Sequence, residues 1–308
     1  METRASIREK NNLLLSYLET PGLEKKAADS LNAFTRVQMR EDSFSRKILE
    51  LVEISNDELD RAVDTDLPQK IIDKEPGGPP AFSTSFGTLP INFYIKAPRY
   101  RVLFDRVLTH RFTKDVDELR TYDMDVRQVM SDNAIKDMLA EEDGKFLTSV
   151  NSALGSKDTN HPIAGVPLYV GISGGMTREN VVESLKTMNK TPYRLESHTA
   201  LTNFVTIKEF MKWGRDEMGG DFSQDVVKNG WSEVNFLGQR WIVTIKRDLV
   251  VDDTVYYFAD PKFIGKSFVL ENTTMYIKRE AFMLEWFAYE TIGQAIGHMG
   301  GLSRVDFE

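Results

Sequence analysis

The chain has 308 residues, enough for one large domain or two of ordinary size, each able to bury a core. Hydrophobic residues make up 41% and charged residues 28%, the balance of a soluble globular chain, and no apolar run reaches the roughly 18 residues of a membrane helix. With 47 acidic against 39 basic side chains the formal charge is -8, which speaks against a dedicated nucleic-acid binder, and the absence of cysteine excludes disulfides, thiolate chemistry and iron–sulfur clusters.

In chain order, Ser6 and Glu9 have the spacing of a capping box, and Leu14, Tyr17 and Leu18 follow at helical intervals until Thr20-Pro21-Gly22, which predicts an exposed N-terminal helix. The start has no apolar segment of the secretory type, so synthesis and retention in the cytoplasm are expected. A weakly periodic stretch covers 23–34, and 47–54 alternates as a half-buried strand does. Residues 55–86 begin acidic, with Asp57, Glu58, Asp60, Asp64 and Asp66, and run into Pro76-Gly77-Gly78-Pro79-Pro80, which can continue neither a helix nor a central strand and so marks a loop tip. Residues 91–95 read as the returning strand. This excursion has too few apolar residues for a core of its own, and loops of that length are usually functional or disordered.

A strand over 101–112 precedes the longest helix signal, in which Val126, Val129, Met130, Ile135, Met138, Leu139, Phe146, Leu147 and Val150 recur at spacings of three and four; the helix is expected to end near Gly155. Glu141, Glu142 and Asp143 are read as its solvated face. Strand 166–170, helix 177–188, strand 201–205 and helix 207–213 then alternate as in an α/β layer, with Thr206 and Glu209 as a second capping box. The last third reads as strands over 240–246, 254–258, 267–270 and 275–288. Gly293, Gly297 and Gly301, four residues apart, read as a close-packing helix face.

Gly171-Ile172-Ser173-Gly174-Gly175 matches the G-x-S-x-G nucleophile elbow and lies between a predicted strand and a predicted helix. In that reading Ser173 attacks, His198 or His298 is the base, and Asp248 or Asp260 orients the imidazole of His298. A Gly-rich oxyanion segment and an early run of buried parallel strands are both missing, so a small-residue turn is the preferred reading. His110, His161, His198 and His298 have no partner at metal-ligand spacing. Asn272-Thr273-Thr274 is a glycosylation sequon without a route of export, and Asp64-Thr65-Asp66 lacks the glycine and terminal Glu of a calcium loop. No catalytic residue, cofactor or metal ligand is expected, which directs attention to binding or assembly.

The order of a long excursion, a long helix, an α/β middle and a strand-rich end resembles that of the major capsid proteins of tailed bacteriophages. These have the Johnson (Hong Kong 97-like) fold, a mixed α/β (α+β) architecture. The resemblance is carried by 100–114 (YRVLFDRVLTHRFTK), 125–133 (DVRQVMSDN) and Glu141-Glu142-Asp143, similar to the start and body of the family's spine helix. It is carried also by 236–244 (FLGQRWIVT) and 255–265 (VYYFADPKFIG), similar to strands closing the axial domain, and by 282–293 (FMLEWFAYETIG), similar to the final peripheral strand.

The resemblance implies an N-terminal arm over 1–36, an extended β-hairpin loop over 37–98, a peripheral domain over 99–159 and 259–308 with the spine helix, and an axial domain over 160–258. It implies a structural subunit that self-assembles into the icosahedral head of a double-stranded DNA phage, assembled in the host cytoplasm and located in the virion. The implied partners are further copies in hexamers and pentamers, scaffolding, portal and decoration proteins, and packaged DNA held without sequence preference; no membrane is implied. Its alternatives are the Ser173 hydrolase and a shell of the same fold that encloses enzymes in place of DNA. Some members carry a long N-terminal scaffolding extension or weld subunits through a Lys–Asn isopeptide bond. Here the arm begins almost at Met1, which implies a separate scaffolding protein or a processed chain. Lys70 and Lys74 are the candidate crosslinking lysines, with solvated tip charges as the plainer reading.

Overall fold

A computed structural model describes residues 4–19, 23, 28–29, 43–73, 81–90, 92, 94, 99–121, 125–213, 233–236 and 238–308. The first elements are α1 (Arg4–Glu19), α2 (Ser45–Ile48), β1 (Glu50–Glu53), β2 (Asp60–Arg61), β3 (Pro68–Asp73), β4 (Arg99–Leu103), β5 (Asp105–Leu108), β6 (Phe112–Asp115) and α3 (Val116–Arg120). The long helix α4 (Val126–Leu154) leads to β7 (Tyr169–Ile172), α5 (Arg178–Asn189), β8 (Thr199–Asn203) and a 3-10 segment over Thr206–Lys212. The chain closes with β9 (Glu233–Phe236), β10 (Gln239–Thr244), β11 (Thr254–Phe258), α6 (Pro261–Ile264), β12 (Gly265–Glu280), β13 (Met283–Ile296) and β14 (Leu302–Phe307).

Helix α4 holds the molecule together because its apolar stripe serves two cores in succession. Val126, Met130, Ala134, Ile135, Met138 and Leu139 pack against the β12–β13 hairpin, α1 and α3, in a core that includes Leu284, Trp286 and Ala288. About two turns further on, Phe146, Leu147, Val150 and Leu154 enter a second core with Trp241, Tyr257 and Phe258. The helix stops at Gly155, whose φ of +77° is the left-handed C′ geometry that glycine adopts without strain. At the other end, Asn11 of α1 accepts the Val126 N–H at 3.1 Å, so α1 caps the start of α4.

The sheets follow from burial. Every residue of β8 and of β11 is buried, as in strands covered on both faces, and both lie inside a six-stranded sheet of order β7-β14-β11-β8-β10-β9. The second sheet has the order β1-β12-β13-β5, with β6 also on β13. In β13, Leu284, Trp286, Ala288 and Glu290 alternate inward with half-buried neighbours. A small three-stranded sheet, β2-β3-β4, carries the excursion.

Several expectations are corrected. Helix α1 starts before Ser6 and is not exposed all round, because Asn11, Leu14 and Leu15 are buried against α3, α4 and β12. The 47–54 stretch divides into the end of α2 and β1. The strand that returns from the excursion is β4, paired antiparallel with β3, whereas Asn92 and Tyr94 lie in no strand; Ile91, Phe93, Ile95 and the breaker cluster 76–80 fall outside the described residues. The strand read over 275–288 crosses a tight turn at Ala281 (φ +54°) between β12 and β13. Thr206 does not cap its segment: its hydroxyl accepts the Asp253 N–H at 2.8 Å. Gly293 serves close packing on a strand, not a helix, since a Cβ there would stand 2.9 Å from Val102 Cγ1 and 3.0 Å from the Leu103 carbonyl oxygen. Strand β14, within the segment expected to be peripheral, pairs with β11 and β7 in the six-stranded sheet.

Candidate assembly site

Two features outside the ordinary cores concentrate unusual chemistry: the excursion and the place where it is rooted. The root is a small core of Ile54, Val102, Phe104, Phe268 and Ala295, which joins β1 and β4 to the β12–β13 hairpin. Farther out, ion pairs on the surface dominate, with Lys70 on Glu58 (2.7 Å), Arg99 on Asp73 (2.8 Å), Arg101 on Asp64 (2.7 Å) and Arg61 on Asp66. Hydrogen bonding from Arg101 holds the Asp64 carboxyl below its usual value. Solvent screens such exposed pairs, so they shape the excursion more than they stabilise it.

Beyond them the chain presents apolar side chains to solvent. Phe82 is 54% exposed, Phe86 and Leu89 essentially fully exposed, and Tyr94 is 82% exposed. Isolated exposed hydrophobics are ordinary, but four within thirteen residues of a segment without a core form a surface that needs a partner. Of the two lysines singled out, Lys70 sits in β3 paired with Glu58, and Lys74 lies outside the described residues.

At the base of the excursion lies a buried ionic knot, centred where α4 passes from one core to the other. Arg46 Nε donates to both carboxylate oxygens of Glu142 (2.9 and 3.0 Å), and its Nη2 donates to Glu290 Oε2 at 2.7 Å. The same Glu290 oxygen accepts from Thr273 Oγ1 (2.9 Å), and Glu142 Oε1 accepts from Ser45 Oγ (3.1 Å). Asp143 Oδ1 accepts from Ser43 Oγ (2.9 Å) and the Ser45 N–H (3.1 Å), while its Oδ2 accepts from Lys246 Nζ at 2.5 Å. The three carboxylates are wholly buried, and the Arg46 side chain is 6% exposed.

Burial pushes the Glu142 carboxyl up to about 7, against the pull of Arg46 and with repulsion from Glu290 and Asp143. Burial also disfavours the Arg46 charge, but Glu142 and Glu290 more than offset this and raise its pKa. Together these groups tie α2, α4, the β12–β13 hairpin and the turn after β10 at one point. Reading 141–143 as a solvated face is therefore correct for Glu141 and wrong for Glu142 and Asp143. The signal was present: Glu142 lies four residues from both Met138 and Phe146, and Asp143 four from Leu139 and Leu147, on the apolar stripe.

The structure does not bring the parts of the serine elbow together. Ser173 follows β7 at the end of the six-stranded sheet where Phe307, Thr254 and Asn203 lie, whereas His198 and His298 precede Thr199 and Leu302 at the opposite end, together with Asp260. Five residues of strand, on the order of 16 Å, separate the serine from either base. Asp248 is exposed in the turn after β10, at the serine's end and away from the histidines. Gly174 and Gly175, with φ of +100° and +70°, aim their N–H groups at the Glu308 carbonyl (2.6 and 2.9 Å), which takes the donor an oxyanion hole would use. Ser173→Ala should change stability by no more than about 0.5 kcal/mol and leave any assembly intact; an esterase activity lost in that variant would contradict this. Among the described residues no group of three or more His, Asp or Glu is placed to hold a metal ion, and no helix is long and apolar enough to cross a membrane.

No protein-family model matches the sequence, and no curated protein does. Solved structures match over most of its length. The chain is similar to one in the mature capsid of bacteriophage PhiM1, at 10% identity over 86% of this chain and 87% of that one, with a TM-score of 0.58. It is similar to a chain of the capsid of cyanophage P-SCSP1u, at 13% identity over 87% and 89% with a TM-score of 0.57, and to one from Microbacterium phage Oxtober96, at 10% identity over 87% and 91% with a TM-score of 0.59. The chain has the mixed α/β Johnson (Hong Kong 97-like) fold, and nothing in these likenesses favours a hydrolase.

Proposed function

We propose that this chain is a structural shell subunit that assembles with copies of itself into the icosahedral head of a tailed double-stranded DNA phage, and that it performs no catalysis. The observation that carries the reading is the exposed row of Phe82, Phe86, Leu89 and Tyr94 on an excursion rooted in a Johnson fold. Covering such a row by another surface is favourable, and a closed shell supplies that surface once per subunit through repeated contacts. In this reading 1–36 are the arm and 37–98 the extended loop. The β12–β13 sheet with α4 is the peripheral domain, and the six-stranded sheet, including β14, is the axial domain. Hexamers and pentamers of the chain, scaffolding, portal and decoration proteins, and DNA held without sequence preference are the partners. The virion is the place of action, reached by assembly in the host cytoplasm.

Sedimentation velocity of the purified full chain across a concentration series tests the reading. Concentration-dependent conversion from monomer or capsomer to very large particles supports it, and a monomer at every concentration, with or without nucleic acid, opposes it. Particles that contain enzymes and no DNA would favour a cargo shell of the same fold.

A further inference from the structure

Among the described residues the knot contains two cations, Arg46 and Lys246, and three carboxylates, Glu142, Asp143 and Glu290, so full ionisation of these groups leaves one negative charge without a partner cation. A lone buried charge is among the most unfavourable things a fold can hold, and a carboxylate relieves it by keeping its proton. We propose that the closed knot holds one proton, on Glu142 where it meets Arg46 and Glu290, and that losing this proton loosens the root of the excursion, residues 43–54, from α4.

The geometry identifies where the proton resides. Asp143 has a cation of its own and two further donors, accepting from Lys246, Ser43 and the Ser45 N–H. Glu142 and Glu290 instead share a single guanidinium, and Glu290 Oε1 is buried with no hydrogen-bond partner among the described residues, an arrangement that costs a carboxylate more than a neutral acid. The proton is therefore held on Glu142, at the point where the two acids share Arg46. Among the described residues the charged groups around the pair are Arg46 from α2, Asp143 from α4 and, bonded to Asp143, Lys246 from the turn after β10, while β12 adds the Thr273 hydroxyl. Solvent reaches the edge of the knot, because Arg46 also lines an open cleft of about 700 Å³ with Lys47, Glu50 and Lys262.

What yields is set by packing. Helix α4 and the hairpin contribute many residues along their length to the apolar cores, whereas the 43–54 segment is held by Phe44, Ile48 and Leu49 in one core, by the four residues of α2 and by four residues of β1 paired with β12. The direction follows from Glu142. Its pKa is raised in the closed state to about 7 from an ordinary 4.5, so closure is favoured most below 4.5 and that advantage is lost as pH rises through 7. Between about pH 6 and about pH 8 the equilibrium for opening should change about tenfold. This device belongs to the single chain and does not rest on the shell reading.

Hydrogen–deuterium exchange of the full chain, corrected for the intrinsic pH dependence of amide exchange, tests it. Peptides covering 43–54 should open about tenfold more readily at about pH 8 than at about pH 6, while peptides from β11 should not respond. Glu142→Gln, which fixes the neutral state, should reduce the difference to less than about twofold with protection like that of the wild type in acid. Glu290→Gln should reduce it likewise and carries the test if Glu142→Gln does not fold. Equal protection of wild-type 43–54 at both pH values, or a full pH response in the folded Gln variants, would overturn the proposal.

Discussion

Arg46→Met should lower the melting temperature by on the order of 10 °C, because it removes the buried cation on which two buried carboxylates converge. The guanidinium is the sole cation bonded to both Glu142 and Glu290 among the described residues, and neither carboxylate can reach water in its place. Removing one partner of such a pair costs about 3–5 kcal/mol, because the charges left behind are buried and uncompensated, even where the intact pair adds little net stability. The deficit should depend on pH. Without Arg46 the Glu142 carboxyl loses the cation that opposes the effect of burial and holds its proton more tightly still when folded than when unfolded, so the variant comes closest to wild type in acid and falls further behind as pH rises. Arg46→Lys should recover only part of the loss, since an ammonium cannot span Nε and Nη2 contacts to two different carboxylates. Thermal melts at mildly acidic and mildly alkaline pH check both points; a change of only one or two degrees at either pH would show that the knot is not a structural centre.

The second large effect separates folding from assembly. Replacing Phe82, Phe86 and Leu89 together by Ser should leave the melting temperature of the monomer within a degree or two, because these side chains are already in water and touch no core. Assembly should be abolished at concentrations where the wild type assembles fully. Each such side chain is worth about 1.5–3 kcal/mol when buried, so loss of three from every loop contact removes several kcal/mol per interface, repeated throughout a shell. Circular dichroism and sedimentation report the two halves independently. An unfolded triple variant would place these residues in an internal core, and normal shells would remove the excursion from the assembly contacts.

How much of this was legible in the sequence depends on period and range. Helix α4 and its stop at Gly155 could be read because a 3.6-residue pattern over 29 residues has no competing interpretation. The β12–β13 hairpin was blurred, since Ala281 in the left-handed region gives no signal of the kind that Asn-Gly gives and the strand pattern continues through it. Short β14 was hidden behind a run of glycines whose spacing suggested a helix. The knot was the deepest omission. Charge alone argued for a solvated face, yet Glu142 and Asp143 were in phase with the apolar stripe of α4, and Glu290 was in phase with Leu284, Trp286 and Ala288 of β13. Phase could have marked each as buried, but pairing them with Arg46, 96 residues away from Glu142 and 244 from Glu290, required the fold. In the same way, the serine elbow was a local match that only the strand register could reject.

Electron cryo-microscopy of particles assembled from the purified chain tests the central claim most directly. The account predicts closed shells in which Phe82, Phe86 and Leu89 of each subunit are buried against a neighbouring copy, while Arg46, Glu142 and Glu290 remain together at the root of the loop. A chain that stays monomeric at every concentration, or shells in which those three side chains remain in solvent or fold back on their own subunit, would contradict it.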